Sequence, residues 1–266
     1  MRRLLASLRI LISGAWLSYL ALFSWTQPVS YLASKVLMPI AHLLFFTYLG
    51  TSASGPQSAS FYIIGNALQI AAVNGIYGVT MVIGNERDEG SLIYLIGSPA
   101  NRLVIFMGRA LFNVLDGMVG VALAFMWGVI LLGLNLSAAS LPGLALTILV
   151  TALSTCGLGL LMGSISLVTL NVMFIGNTVY FLLLLFSGAS LPLERLPAWM
   201  QAISHGLPLM RGIQAARLLI GGAPLAQVAP LLAGELGVGL AYGLVGFAVF
   251  SCFEFQARRR GTLEAF

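Results

Sequence analysis

The chain has 266 residues, 59% of them hydrophobic and 8% charged, with a mean hydropathy of +0.98. A soluble domain carries about a quarter of its residues as charges, so this composition excludes a soluble globular protein and a disordered chain alike. Two Cys exclude a disulfide framework, and one Lys with two His leaves little catalytic chemistry, so what remains is an all-α polytopic membrane protein.

Residues 1–27 come first. Arg2, Arg3, Ser7, Arg9, Ser13, Gly14 and Ser18 fall mostly on one half of a helical wheel. Trp16, Tyr19 and Trp25 interrupt the apolar run, and no small-x-small cleavage site follows it. This pattern predicts an amphipathic helix lying in the membrane interface rather than a cleaved signal. Pro28 then turns the chain into the first span.

No charge lies between Lys35 and Glu86. A spanning helix needs about 20 apolar residues, so this gap holds two spans, at about 29–49 and 61–84, divided by the Gly- and Ser-rich stretch 50–58. Asn66, Gln69 and Asn74 make the second span polar on part of its surface. Such groups are costly against lipid tails and face protein or a water-filled path.

The segment 85–102 is not an ordinary loop. Asn85 caps a short helix that starts with Glu86, Asp88 and Glu89 and has an apolar side of Leu92, Ile93, Leu95 and Ile96. Gly97 ends it. Ser98 and Pro99 open a new helix that runs on into the third span. The expectation is a helix lying crosswise on the cytoplasmic face, available to a soluble partner.

No charge lies between Asp116 and Glu194 either. This gap divides into spans at about 109–133, 143–166 and 170–188, with breaks at 135–142 and near Asn171. Phe174, Asn177, Thr178 and Phe181 follow i, i+3, i+4, i+7, one face of the fifth span. An aromatic-and-amide face of this kind either lines a cavity for an amphipathic molecule or serves ordinary helix packing. Gly159-x3-Gly163 and Gly239-x3-Gly243 permit close helix contact. The segment 189–227 is broken by Pro192, Pro197, Pro208 and Pro224. Pro197 opens a short helix carrying Trp199, and Pro208 opens a second, so the pair reads as an outer re-entrant hairpin. The sixth span covers about 228–253.

Two carboxylates lie inside spans, where ionisable groups are functional by default. Asp116 is expected to pair with Arg109, seven residues earlier, or to reach inner water. Glu235 is expected to reach the outer surface. Six spans put both termini on one side. Ten Lys or Arg then face inward and three outward, which places the termini in the cytoplasm. The net charge of +5 is this inner-face excess, suited to anionic lipid headgroups and calling for no nucleic acid. The chain thus reads as one transmembrane domain over 1–266. Twelve Arg against one Lys, with abundant Ala, Gly and Leu, points to a GC-rich bacterial genome.

No Gly-x4-Gly-Lys-Ser/Thr phosphate loop is present, so no ATP site lies in this chain. His42 and His205 form no metal pair.

At this point the residues carry a family resemblance. Glu86-Arg-Asp-Glu-Gly-Ser-Leu-Ile-Tyr-Leu-Ile-Gly-Ser-Pro-Ala-Asn-Arg102 resembles the E-R-E-x-G-T-L-E-x-L-L-x-S-P-x-x-R stretch of ABC type-2 exporter permeases, with Ser91 and Tyr94 as departures. The stretch from Leu185 to Gln201 is similar to the one before their last span. The resemblance covers nearly the whole chain. It implies a permease subunit without its own ATPase activity, paired with a second permease chain, identical or related. It also implies a separate ATP-binding-cassette ATPase that holds ATP and Mg. Glu86, Glu89, Gly90, Leu92, Leu95, Pro99 and Arg102 would couple to that ATPase. Asn66, Gln69, Phe174, Asn177, Thr178 and Phe181 would line the substrate path. The expected function is export of a hydrophobic or amphipathic, drug-like or lipid-like substrate across a bacterial cytoplasmic membrane. Export of a lipid-linked sugar or polysaccharide is an alternative. From a different class, an intramembrane lipid-modifying enzyme is disfavoured because Asp116 and Glu235 lie near opposite faces.

Overall fold

The computed structural model describes residues 28–81, 102–166 and 172–260, together with Ser13. The amphipathic helix expected over 1–27, apart from Ser13, and the crosswise helix with Glu86, Glu89, Gly90, Leu92, Leu95 and Pro99 lie outside the described residues.

Helix α1 runs from Pro28 to Ser54 and contains Pro39. A turn at Gly55, whose φ of 88° suits glycine, and a 3-10 turn at Pro56–Ser58 lead into α2, Ala59–Val73. Helix α2 is buried on nearly every side from Tyr62 to Ala72, as expected of a helix that is apolar all round. A π-turn over Asn74–Gly78 interrupts it, and helical geometry resumes to Met81.

Helix α3, Arg102–Leu132, stops at Gly133, whose φ is 67°. Helix α4, Leu141–Ser166, starts at Ser140, whose hydroxyl accepts from the Gly143 N–H at 3.4 Å, with Pro142 inside the first turn, where no donor is needed. Helix α5 covers Val172–Phe186. Two short helices follow, α6 over Ala198–Gly206 and α7 over Met210–Ile220. Helix α8, Leu225–Arg260, closes the described chain.

Among the described residues, five helical stretches are long and apolar enough to cross a membrane: 29–54, 56–81, 110–132, 141–166 and 225–253. The sequence reading counts six spans. The stretch expected to be the fifth is α5, whose 15 residues reach about 22 Å at 1.5 Å per residue, against a hydrocarbon core of about 30 Å.

Helices α2 and α4 form the centre, with α3 against α2 and α8 against α4. Small residues bring the backbones together. A Cβ on Gly157 would fall on the Gly239 carbonyl, and one on Gly159 would fall on the carbonyl of Gly75 in the π-turn. Hydroxyls tie the same contacts: Ser154 donates to the Glu235 carbonyl at 2.9 Å, Ser164 to Gly246 at 2.8 Å and Thr80 to Gly159 at 3.2 Å. Helix α1 is the least enclosed long helix, with Val29, Met38 and Tyr48 among its exposed residues.

Candidate functional site

The six residues expected along a substrate path separate into two settings. Asn66 and Gln69 on α2 are fully buried. The Asn66 amide donates to the Tyr62 carbonyl at 2.9 Å, and its oxygen accepts from Ser190 at 3.4 Å. The Gln69 oxygen accepts from Ser187 at 3.4 Å, while its Nε2 has no partner among the described residues. Gly65 lets the chain after α5 approach, since a Cβ there would meet the Ala189 backbone. This α2 polar face therefore seats the 187–190 turn.

The α5 residues are different. Phe174 and Phe181 are 68% and 63% exposed, and Asn177 and Thr178 are exposed beside them. Asn177 accepts from the Tyr77 hydroxyl at 2.5 Å. The Tyr77 and Tyr180 rings are 6.0 Å apart. An aromatic and amide surface thus runs along α5 and ends on the π-turn of α2. Such turns are frequent at functional sites because they re-aim side chains.

Asp116 has a partner on another helix that the sequence reading does not name, and the expected pairing with Arg109 lies outside the described residues. Its carboxylate forms an ion pair with Lys35 on α1 and accepts from the Tyr31 hydroxyl at 2.5 Å. Lys35 also donates to Asn74 at 3.3 Å, and Asn74 donates to the Ile70 carbonyl at 3.1 Å. The Arg109 side chain lies outside the described residues, as does that of Arg102. Lys35 sits about two turns inside α1 rather than in a loop. Its side chain is 16% exposed and that of Asp116 is 11% exposed, so the pair has left bulk water and ties α1 to α3 at the depth of the π-turn.

The expectation for Glu235 is corrected. It does not reach a surface but is fully buried. Its carboxyl oxygens accept from the backbone N–H of Leu209 at 2.5 Å and of Gly212 at 3.3 Å. These are orphan donors at the start of α7, which a helix leaves without internal partners. Leu209 holds a φ of 84° to present its N–H. Arg211 packs alongside, donating to the His205 carbonyl at 2.8 Å.

Sequence reasoning did not single out Arg217 beyond counting its charge. From α7 its guanidinium lies 3.5 Å from the centre of the Phe61 ring and donates to the carbonyls of Phe61 at 3.0 Å and Gly188 at 2.8 Å. It fastens α7 to the start of α2 and to the turn after α5. Burial pushes its pKa down to about 9, opposed by Glu194 and Tyr62, which leaves it charged at neutral pH. Of the prolines, Pro197 directly precedes α6 and Pro208 lies two residues before α7. Pro192 precedes a 3-10 turn at Leu193–Arg195. Trp199 is 63% exposed.

The profile of ABC-2 type transporters matches residues 11–220. A probable multidrug ABC transporter permease of Escherichia coli strain K12, YbhR, is 28% identical over 157 residues, which is 56% of this chain and 40% of that protein. The chain therefore spans well under half the length of that relative. The putative transport permease YvfS of Bacillus subtilis strain 168 is 28% identical over 197 residues, 71% of this chain and 78% of that protein. A family match over most of the chain joins an all-α set of apolar membrane-length helices: the chain belongs to the ABC-2 type transporter family and is a multi-pass membrane protein.

Proposed function

We propose that this chain is the membrane subunit of an ATP-driven exporter that moves a hydrophobic or amphipathic, drug-like or lipid-like substrate out of the cytoplasm or inner leaflet. It acts as one of two permease chains, with ATP and Mg held on a separate ATPase subunit. The observation that carries the substrate class is the α5 surface, where Phe174 and Phe181 are exposed beside Asn177 and Thr178. Flat apolar rings with a few amide and hydroxyl groups suit an amphipathic molecule better than a sugar polymer, which needs dense hydrogen bonding. The multidrug designation of the Escherichia coli relative points the same way. The α5 helix is proposed as the short fifth of six spans, both termini are proposed to be cytoplasmic, and α6 with α7 forms the outer re-entrant segment.

Coupling is assigned to residues 85–102. Active export needs free energy, and the chain has no phosphate loop. Interface anchors work through a few buried apolar contacts, with rim charges adding specificity. Leu92 and Leu95 are therefore the anchors, with Glu86, Glu89 and Arg102 on the rim; Gly90 and Pro99 belong to the same coupling segment. The test is co-purification of the permease with its ATPase and ATP-dependent efflux of a lipophilic dye from reconstituted vesicles. Leu92→Asp and Leu95→Asp should release the ATPase and abolish efflux, whereas Asn177→Leu and Phe181→Ala should keep the complex and change which dyes are exported. Intact binding and efflux in both aspartate variants would overturn the coupling assignment. Unchanged dye preference in both α5 variants would overturn the substrate surface.

A further inference from the structure

A residue that the sequence reading passes over completes the α5 surface. Tyr77, in the π-turn of α2, lays its ring against Gly176 of α5, where a Cβ would come within 3.1 Å of the ring carbon Cε1. The fit depends on the missing side chain. The Tyr77 hydroxyl donates to the Asn177 Oδ1 at 2.5 Å, and the ring centres of Tyr77 and Tyr180 lie 6.0 Å apart. Asn177 has two unlike ends, a carbonyl that only accepts and an NH2 that only donates. The Tyr77 proton holds the carbonyl end. The NH2 has no partner among the described residues and is the end left to meet a ligand. Thr178 adds no donor, because its hydroxyl proton goes to the Phe174 carbonyl at 2.8 Å. No charged residue lies on α5 or in the π-turn, and beyond the π-turn Lys35 and Asp116 neutralise each other.

Resting on the reading of α5 as the substrate surface, we infer that Tyr77 is a positioning residue that sets the class of substrate. That class is an uncharged amphiphile with a flat apolar body and an acceptor oxygen, a ketone, ester or ether, that receives the Asn177 NH2. Phe174 and Phe181 lie three residues before and four residues after Asn177, so the two exposed rings flank the amide over about 10 Å at 1.5 Å per residue. The body of the ligand lies on the rings, and its oxygen meets the donor between them. Against hydrocarbon an unmet amide donor is costly, and a ligand without an acceptor leaves that cost in place. A cation gains nothing from the NH2, whose hydrogens carry partial positive charge, and it finds no carboxylate on α5 to replace its water. Without the Tyr77 hydroxyl the amide can present either end, and the preference fades.

The test is saturable binding of tritiated probes to the full-length chain in phosphatidylcholine nanodiscs, with empty nanodiscs subtracted. The probes are acetylanthracene, its isostere isopropenylanthracene, in which a methylene replaces the ketone oxygen, and an anthracene bearing a trimethylammonium group at the same ring position. The ketone should bind about fivefold more tightly than the hydrocarbon, the worth of one net hydrogen bond, and more tightly than the ammonium. Tyr77→Phe keeps a ring on Gly176 and should reduce the ketone-to-hydrocarbon ratio to about twofold or less. Asn177→Leu should bring the ratio to about one. Because the ratio is read within each variant, loss of folded protein lowers both arms alike. A ratio near one in the unmodified chain, or tightest binding by the ammonium on the ring faces, overturns the assigned class; α5 still stands as the binding surface if Phe181→Ala weakens every probe. An unchanged ratio in Tyr77→Phe overturns the role of Tyr77. Absence of saturable binding by all three probes means that lipid or a second copy covers α5, and it overturns the substrate surface and this inference together.

Discussion

Replacing Glu235 by Ala removes both acceptors from the start of α7 without breaking α8. The donors left behind are the N–H groups of Leu209 and Gly212, in a region where Leu209 itself is fully buried. A buried donor without a partner costs about 1–3 kcal/mol. The Gly212 bond is long, at 3.3 Å, so the pair together falls near the middle of the range, at about 4 kcal/mol. Glu235→Gln keeps one acceptor and turns an NH2 toward the second donor, which should cost about half as much. In a chain of this size each kcal/mol shifts the apparent melting temperature by about 2–4 °C, so the Ala variant should melt about 8–16 °C lower and the Gln variant about 4–8 °C lower. The assay is thermal unfolding in detergent followed by size-exclusion fluorescence, with limited proteolysis of 198–224 as the local readout. If Glu235→Ala melts with the parent and 198–224 stays equally protected, the carboxyl group does not anchor α7.

Three further expectations follow from the same contacts. Lys35→Met or Asp116→Leu alone strands a half-buried charge and should lower folded yield, whereas the two together should recover most of it; a double variant no better than either single one would disconnect the pair from stability. Gly157→Leu drives a side chain into the Gly239 backbone, while Gly237 has open space around it, so the first should abolish folded protein in membranes and Gly237→Leu should express normally. Arg217→Lys keeps the charge but loses the planar stack on Phe61 and the paired carbonyl contacts, so its melting temperature should fall nearly as far as that of Arg217→Ala, by about 1–3 kcal/mol worth of stability.

The ordering of spans was legible because charge is absent over long stretches, and the breaks fall at residues whose chemistry stops helices. Gly133 and Ser140 mark the end of α3 and the start of α4 within a few residues of the expected 109–133 and 143–166. Pro197 and Pro208 lie where two short helices begin. The partners of polar groups were not legible. A local rule looks for a mate of Asp116 along its own helix and finds Arg109, but it has no means of finding Lys35 on α1, brought close only when α1 packs against α3. Glu235 looked peripheral because its distance from the end of α8 was counted, and that count knows nothing of α7 folding back onto it. The α5 stripe at 3- and 4-residue spacing could be read, yet the same spacing describes packing. Exposure of Phe174 and Phe181 is what separates them from buried Asn66 and Gln69. The π-turn left only a faint trace, Gly75 and Gly78 beside Asn74.

The close contact of α4 with α8 divides the molecule mechanically. Along these two helices the backbones touch at Gly157 and Gly239 and again where Gly246 meets Leu161, and Ser154 and Ser164 bridge the same seam. Sliding one helix past the other would force main chain through main chain. Helix α2 is fixed to α4 in the same way through Gly75 and Gly159, and Glu235 adds α7. Helices α1 and α5 add bonds made by side-chain tips, Lys35 of α1 to Asp116 of α3 and Tyr77 to Asn177 of α5, which re-form after a rotamer change. Compliance is therefore concentrated at α1 and α5. Substitutions along the α4–α8 seam should decide whether the protein exists, and substitutions on α1 and α5 should decide how fast it turns over.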